Sequence, residues 1–147
     1  MTEPSESESL DSLFAQICRL KHARIHTLLE ALGLYRGQPS VLQALWEHEG
    51  LMHTELARHL QVQPATITRM LQRMEKAGFV ERRPDPEDHR VSRVYLTETG
   101  KAVRADVQQV WRQLEEEAFA GFTLEEQALL RRFFLRIREN LRHVTGG

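Results

Sequence analysis

At 147 residues the chain has room for one ordinary domain, or for one domain with helical extensions. With 41% hydrophobic and 28% charged residues it can bury a core, and its single cysteine, Cys18, excludes an intrachain disulfide framework and a Cys-rich zinc module. The net charge of -1 excludes a uniformly basic protein but not a locally basic one: residues 58–104 carry ten Lys and Arg against six Asp and Glu, whereas residues 1–17 carry four acids and no base.

Residues 1–9, rich in Ser and Glu, have nothing to bury and are expected to form a disordered tail. They lack the basic and apolar regions of a signal peptide. The longest stretches free of charged residues, Gly37–Trp46 and His59–Thr68, are ten residues each. A spanning helix needs roughly 20, so the expectation is a soluble, cytoplasmic protein with no membrane partner.

From Leu10 to about Leu34, apolar residues recur at spacings of three and four, which predicts a helix ended by Gly33. Pro39 is placed to begin a second helix, with Val41, Leu42, Leu45 and Trp46 on its apolar face. Thr54–Leu60 predicts a short helix, Gln61–Gln63 a tight turn, and Pro64 to about Ala77 another helix with Ile67, Met70, Leu71 and Met74 inward. Two helices joined by so short a turn form a helix-turn-helix. Phe79–Arg83 and Val91–Leu96 then read as strands around a polar tip, Pro84–Arg90, which together make a wing. Thr97 is placed to cap a further helix, Gly121 to break it, and Thr123 with Glu126 to form a capping box for the last one.

Residues 37–104 resemble the MarR family of winged helix-turn-helix transcription regulators. The likeness is carried by Asp88-His89-Arg90, by Leu96-Thr97-Glu98-Thr99-Gly100, and by the recognition-helix stretch Ala65–Gly78. Through the helical pattern it extends over about residues 10–143. The expected fold is mainly α with a small β-wing: a winged helix-turn-helix flanked by N- and C-terminal dimerisation helices. The expected division is 1–9 tail, 10–36 N-terminal dimerisation helix, 37–100 DNA-binding domain and 101–147 C-terminal dimerisation helices.

A recognition helix exposes side chains near its N-terminus to the major groove. Gln63, Ala65, Thr66, Thr68, Arg69 and Arg73 are the expected reading set, with Arg69 able to donate twice to a guanine edge. On the wing the expected DNA contacts are His89, Arg90 and Arg93, with Arg90 suited to a narrow minor groove. By the resemblance, Asp88 braces the tip through a salt bridge to an Arg. Two departures from the family stand out. His89 occupies a place where Arg or Lys is common, and Gln61 replaces a turn glycine, which suggests a different turn conformation.

The resemblance implies a homodimer that reads an inverted repeat in double-stranded DNA as a repressor and is released by a small lipophilic or phenolic effector. Cys18, His22, His26, Tyr35 and Trp46 are the expected effector pocket. Alternatives are a redox- or metal-responsive regulator using Cys18 or His22 and His26, and a winged-helix protein-interaction module. No Gly-rich phosphate loop, Gly-x-Ser-x-Gly or His-Glu-x-x-His motif is present, so neither an enzyme nor a cofactor or metal requirement is expected.

Overall fold

In the computed structural model, which describes residues 8–146, the helix-turn-helix is preceded by α1 (Leu10–Glu30) and α2 (Gln38–Glu47). It consists of α3 (His53–Leu60) and α4 (Pro64–Lys76). Leu56 and Ala57 from α3 and Ile67, Leu71 and Met74 from α4 are buried, and the small Ala57 side chain lets the two helices approach closely. Each fully buried Leu or Ile here contributes about 1.5–3 kcal/mol. The connecting turn is locked by Val62 N–H donating to the Ala57 carbonyl at 3.0 Å, which draws Val62 against the core.

Gln61 adopts the left-handed conformation, φ 55° and ψ 45°, the only non-glycine to do so among the described residues. Gln61 thus takes a conformation that glycine adopts without strain, and the strain falls on Gln61. A left-handed L-residue costs about 1–2 kcal/mol, against about 0.5–1 kcal/mol of extra chain entropy lost by a glycine. Gln61→Gly is accordingly expected to raise stability by up to about 1 kcal/mol, whereas β-branched Gln61→Val lowers it by at least as much. Thermal unfolding of the two variants checks the opposite signs; equal shifts would contradict the strain.

Three antiparallel strands complete the winged unit in the order β1 (Leu51–Met52), β3 (Ser92–Leu96), β2 (Val80–Pro84). Leu51 and Arg82 both sit opposite Val94, and Val80 sits opposite Leu96. Pro84, expected in the tip, ends β2 opposite Ser92; β2 is an edge strand, where a missing N–H is tolerated. The two-residue β1 is too short to show a period, so the sequence pattern does not reveal it. α1 also ends earlier than expected, at Glu30, because Leu34 N–H folds back onto the Leu29 carbonyl and buries Leu34 from a turn.

α5 (Glu98–Ala118) begins where Thr97 ties three segments together. Its N–H donates to the Phe79 carbonyl, its hydroxyl donates to the Gly78 carbonyl, and the same oxygen accepts from Gly100 N–H. A Cβ on Gly100 would collide with the Phe79 carbonyl oxygen, so only glycine permits this approach. The Leu-Thr-x-x-Gly sequence is thus a packing joint between the sheet and α5.

The chain divides into two compact units, Met1–Leu114 and Glu115–Gly147. The first contains the winged core, closed by Leu29, Leu34, Val41, Leu42 and Leu45 on one side and Val103, Val107 and Val110 on another. Ser9, expected in the tail, caps α1, its Oγ accepting from Ser12 N–H at 3.0 Å, and the neighbouring Glu8 carboxylate accepts from the Gln16 side-chain amide. The rest of the expected tail lies outside the described residues. The second unit holds α6 (Leu124–Thr145), started by the reciprocal Thr123–Glu126 capping box, and a ring contact of Phe119 with Phe122 and Phe134. Among the described residues no helix is long and apolar enough to cross a membrane.

Candidate nucleic-acid interface

The burial of Ile67, Leu71 and Met74 turns the opposite face of α4 outward. Gln63, Ala65, Arg69, Gln72, Arg73 and Lys76 are exposed there, while Thr66 and Thr68 are half-buried. The Thr68 hydroxyl is already engaged, donating to the Pro64 carbonyl at 3.0 Å. The Gln63 side chain makes no capping bond to the first turn, and Pro64 opens the helix without an N–H. Of the expected reading set, Arg69 and Arg73 therefore stand on one exposed face, and Thr68 sits behind it.

The wing is held by Asp85, which the sequence reading did not single out. Its N–H donates to the Val91 carbonyl, and its Oδ1 accepts from the N–H groups of Glu87 and Asp88. Its Oδ2 accepts from Arg93 Nε at 2.6 Å. Arg93 also donates to the Gly50 carbonyl at 2.9 Å and lies 4.0 Å from Glu55, whose carboxylate caps α3 by accepting from Met52 N–H. The Arg93 hydrogen bond is the largest cause holding the Asp85 carboxyl below its ordinary range. Arg93, expected as a DNA contact, braces the wing against the helix-turn-helix. The signal for it was the first Asp of Asp85-Pro86-Glu87-Asp88, which closes a local turn onto backbone N–H groups.

Asp88 pairs with the tip cation itself. Its Oδ1 accepts from Arg90 N–H and from Arg90 Nε, both at 3.1 Å, and the Arg90 side-chain bond is the main reason its carboxyl is held below the usual range. The Arg90 side chain remains 91% exposed, and His89 beside it is exposed as well. The bond to Asp88 holds the guanidinium at the tip but also offsets part of its charge.

Further back, Arg82 on β2 donates to Glu75 on α4 at 2.8 Å, and Arg83 pairs with Glu81 while lying 4.4 Å over the Tyr95 ring. His53 adjoins the first of these pairs with Nε2 buried and without a hydrogen-bond partner. Its pKa is lowered from the ordinary 6.5, first by burial and then by the Arg82 charge, with Glu75 opposing. For a base whose folded pKa lies below its unfolded one, the unfolded chain binds more protons between the two values. The stability is complete above about pH 6.5 and declines as pH falls through that value. Wild type is expected to lose more stability than His53→Gln between pH 7.5 and pH 5.5 in urea titrations; parallel losses would remove His53 as the cause.

Four of the five expected effector residues meet at one cavity of about 600 Å³. Cys18, His22, His26 and Tyr35 line it with Ile25, Leu29, Leu34 and Trp111, and with the cations Lys21 and Arg36. The His22 and His26 Nε2 atoms lie 3.0 Å apart, one ring donating to the other. Trp46 does not join them. Its Nε1–H donates to the Gly100 carbonyl at 2.9 Å, which turns the indole toward a separate cleft of about 370 Å³ with Lys101 and Arg104. Among the described residues no group of three His, Cys, Asp or Glu converges for a metal.

The MarR family model matches residues 34–92, from the entry to α2 through the wing to the start of β3. The chain is 30% identical over 110 residues to the uncharacterized HTH-type transcriptional regulator YybA of Bacillus subtilis (strain 168), covering 75% of this chain and 73% of that protein. It superposes on apo MarR from E. coli with a TM-score of 0.73 at 28% identity, covering 90% and 98% of the two chains. It also shares the fold of a mutant of S. aureus MepR bound to an oligodeoxyribonucleotide, with a TM-score of 0.75 at 21% identity over 92% and 99% of the chains. The family match falls on the winged unit itself, and the likeness to YybA runs through most of both chains: the protein belongs to the MarR family of transcriptional regulators.

Proposed function

We propose that the protein is a homodimeric repressor that reads an inverted repeat in double-stranded DNA and is released by a small lipophilic or phenolic anion. The observation that carries the DNA reading is the pairing of an exposed Arg69–Arg73 face on α4 with an exposed Arg90 at the end of a wing braced by Asp85 and Arg93. α4 enters the major groove, Arg69 contacts base edges, Arg73 and Lys76 contact backbone, and Arg90 enters the flanking minor groove. The oligodeoxyribonucleotide on MepR, a protein of the same fold, supports this use of the winged unit.

The dimer reading rests on apolar residues left exposed on both terminal helices. On α1 these include Leu10, Phe14, Ile17 and Leu20; on α6, which buries no residue, they include Phe133, Phe134, Ile137 and Leu141. Large apolar side chains left exposed on each of these helices mark an interface. Residues 10–36 and 101–147 then serve dimerisation and residues 37–100 DNA reading, with two α4 helices about 34–36 Å apart on the duplex. The effector reading rests on the cavity at Cys18, His22, His26 and Tyr35, whose apolar walls and Lys21 and Arg36 suit an aromatic anion.

Selection from random duplexes tests the proposal. The expected outcome is enrichment of a twofold-symmetric repeat with half-sites one helical turn apart. Enrichment of an unsymmetric site would overturn the dimer reading, and no enrichment would overturn sequence-specific DNA recognition.

A further inference from the structure

Gly37 is the N-cap of α2 at φ 84°, and the space beside it is filled from the recognition helix. A Cβ at Gly37 would lie 2.6 Å from Met70 Cε and 3.4 Å from Met70 Sδ. Met70 is a half-buried α4 residue packed against the core, directly preceded by the exposed Arg69. The same glycine lines the cavity of about 600 Å³, beside Tyr35, Arg36, Pro39 and Ser40. One short segment therefore touches the cavity on one side and the DNA-reading helix on the other.

That segment is stiff. Tyr35 N–H donates to Gln38 Oε1 at 3.0 Å, and Gln38 N–H donates back to the Tyr35 carbonyl at 3.0 Å. Gln38 is buried, and Leu34 and Val41 on either side are fully buried. A turn closed by two reciprocal hydrogen bonds and anchored at both ends moves as one piece. The flexible methionine thioether fills the space beside the glycine, and in a close-packed interior displacement of one partner is passed to the other.

We propose that the seating of Met70 on Gly37 is the contact through which occupancy of the cavity is communicated to α4, with Met70 a positioning residue for Arg69. A ligand that displaces Tyr35 or Arg36 advances Gly37 against the thioether, drives Met70 from its seat and shifts the α4 face that carries Arg69. The inference rests on the reading of the cavity as an effector site.

Cys18 supplies the test, because it is the only cysteine in the sequence, is exposed and lines the cavity. Alkylation with N-phenylmaleimide places an aromatic ring there, with Cys18→Ser as the unreactive control. Affinity for a selected operator duplex is measured by fluorescence anisotropy before and after alkylation, and the ratio is compared between wild type and Met70→Ala. Wild type is expected to lose about tenfold or more, within the usual range of allosteric coupling, and Met70→Ala less than about threefold. An undiminished loss in Met70→Ala would overturn the role of Met70 while leaving the effector cavity standing. No loss in wild type would overturn both. Should Met70→Ala fail to fold by circular dichroism, Met70→Leu keeps most of the volume but withdraws from Gly37, and the same ratio decides.

Discussion

Replacing Arg69 by alanine is expected to weaken operator binding by about 1–3 kcal/mol and to relax base preference at the position it reads. Arg69 is exposed one turn into α4, between the buried Ile67 and Leu71, so its backbone is fixed while its side chain is available. A fixed backbone is what lets a planar guanidinium meet a guanine edge with two bonds. Arg90→Ala has a different signature: a loss of similar size on every sequence and a salt slope shallower by about one, because a tip cation reads potential and shape. Fluorescence anisotropy titrations on the selected duplex and on a scrambled one, at several salt concentrations, separate the two. If neither substitution changes duplex affinity at fixed salt, the assignment of α4 and the wing to DNA reading fails.

The largest expected effect comes from residues that never touch DNA. Phe133 and Ile137 are spaced one turn apart on α6 and exposed in the protomer, 45% and 40% respectively. Substituting both by aspartate leaves the protomer's core untouched, yet places carboxylates where the proposed interface excludes water. The double variant is expected to sediment as a folded monomer. Its operator affinity should fall from the roughly 10⁻⁸–10⁻¹¹ M usual for specific binding toward the roughly 10⁻⁴–10⁻⁶ M of non-specific phosphate contact. A double variant that stays dimeric and binds fully would place the interface elsewhere. A wild-type chain monomeric at micromolar concentration would remove the dimer from the proposal.

Much of the winged unit was legible in the chain itself because its signals are local. Pro64 at the helix start, the turn at Gln61–Gln63 and the switch of period after Gly78 each depend on neighbours a few residues away, as does the Thr123–Glu126 box outside that unit. The parts of the site that the chain does not display by itself depend on distant partners. Arg93 looks like one more basic wing residue until Asp85, Gly50 and Glu55 are brought around it from eight, 43 and 38 positions away. Trp46 looks like a pocket wall until Gly100, 54 residues on, takes its indole N–H. Gln61 shows the opposite case, since tertiary closure of α3 on α4 imposes a left-handed conformation that its own preference opposes.

The sequence by itself determined the helix-turn-helix, the wing and the basic segment that reads as a DNA-binding face, because periodicity, turn chemistry and charge are written along the chain. Only the tertiary structure decided which cations serve as braces, and that the turn from Tyr35 to Gln38 borders both a cavity and Met70 of the recognition helix. The physical reason is that a side chain's role follows from its partners, and partners far apart in sequence are assembled only when the core closes.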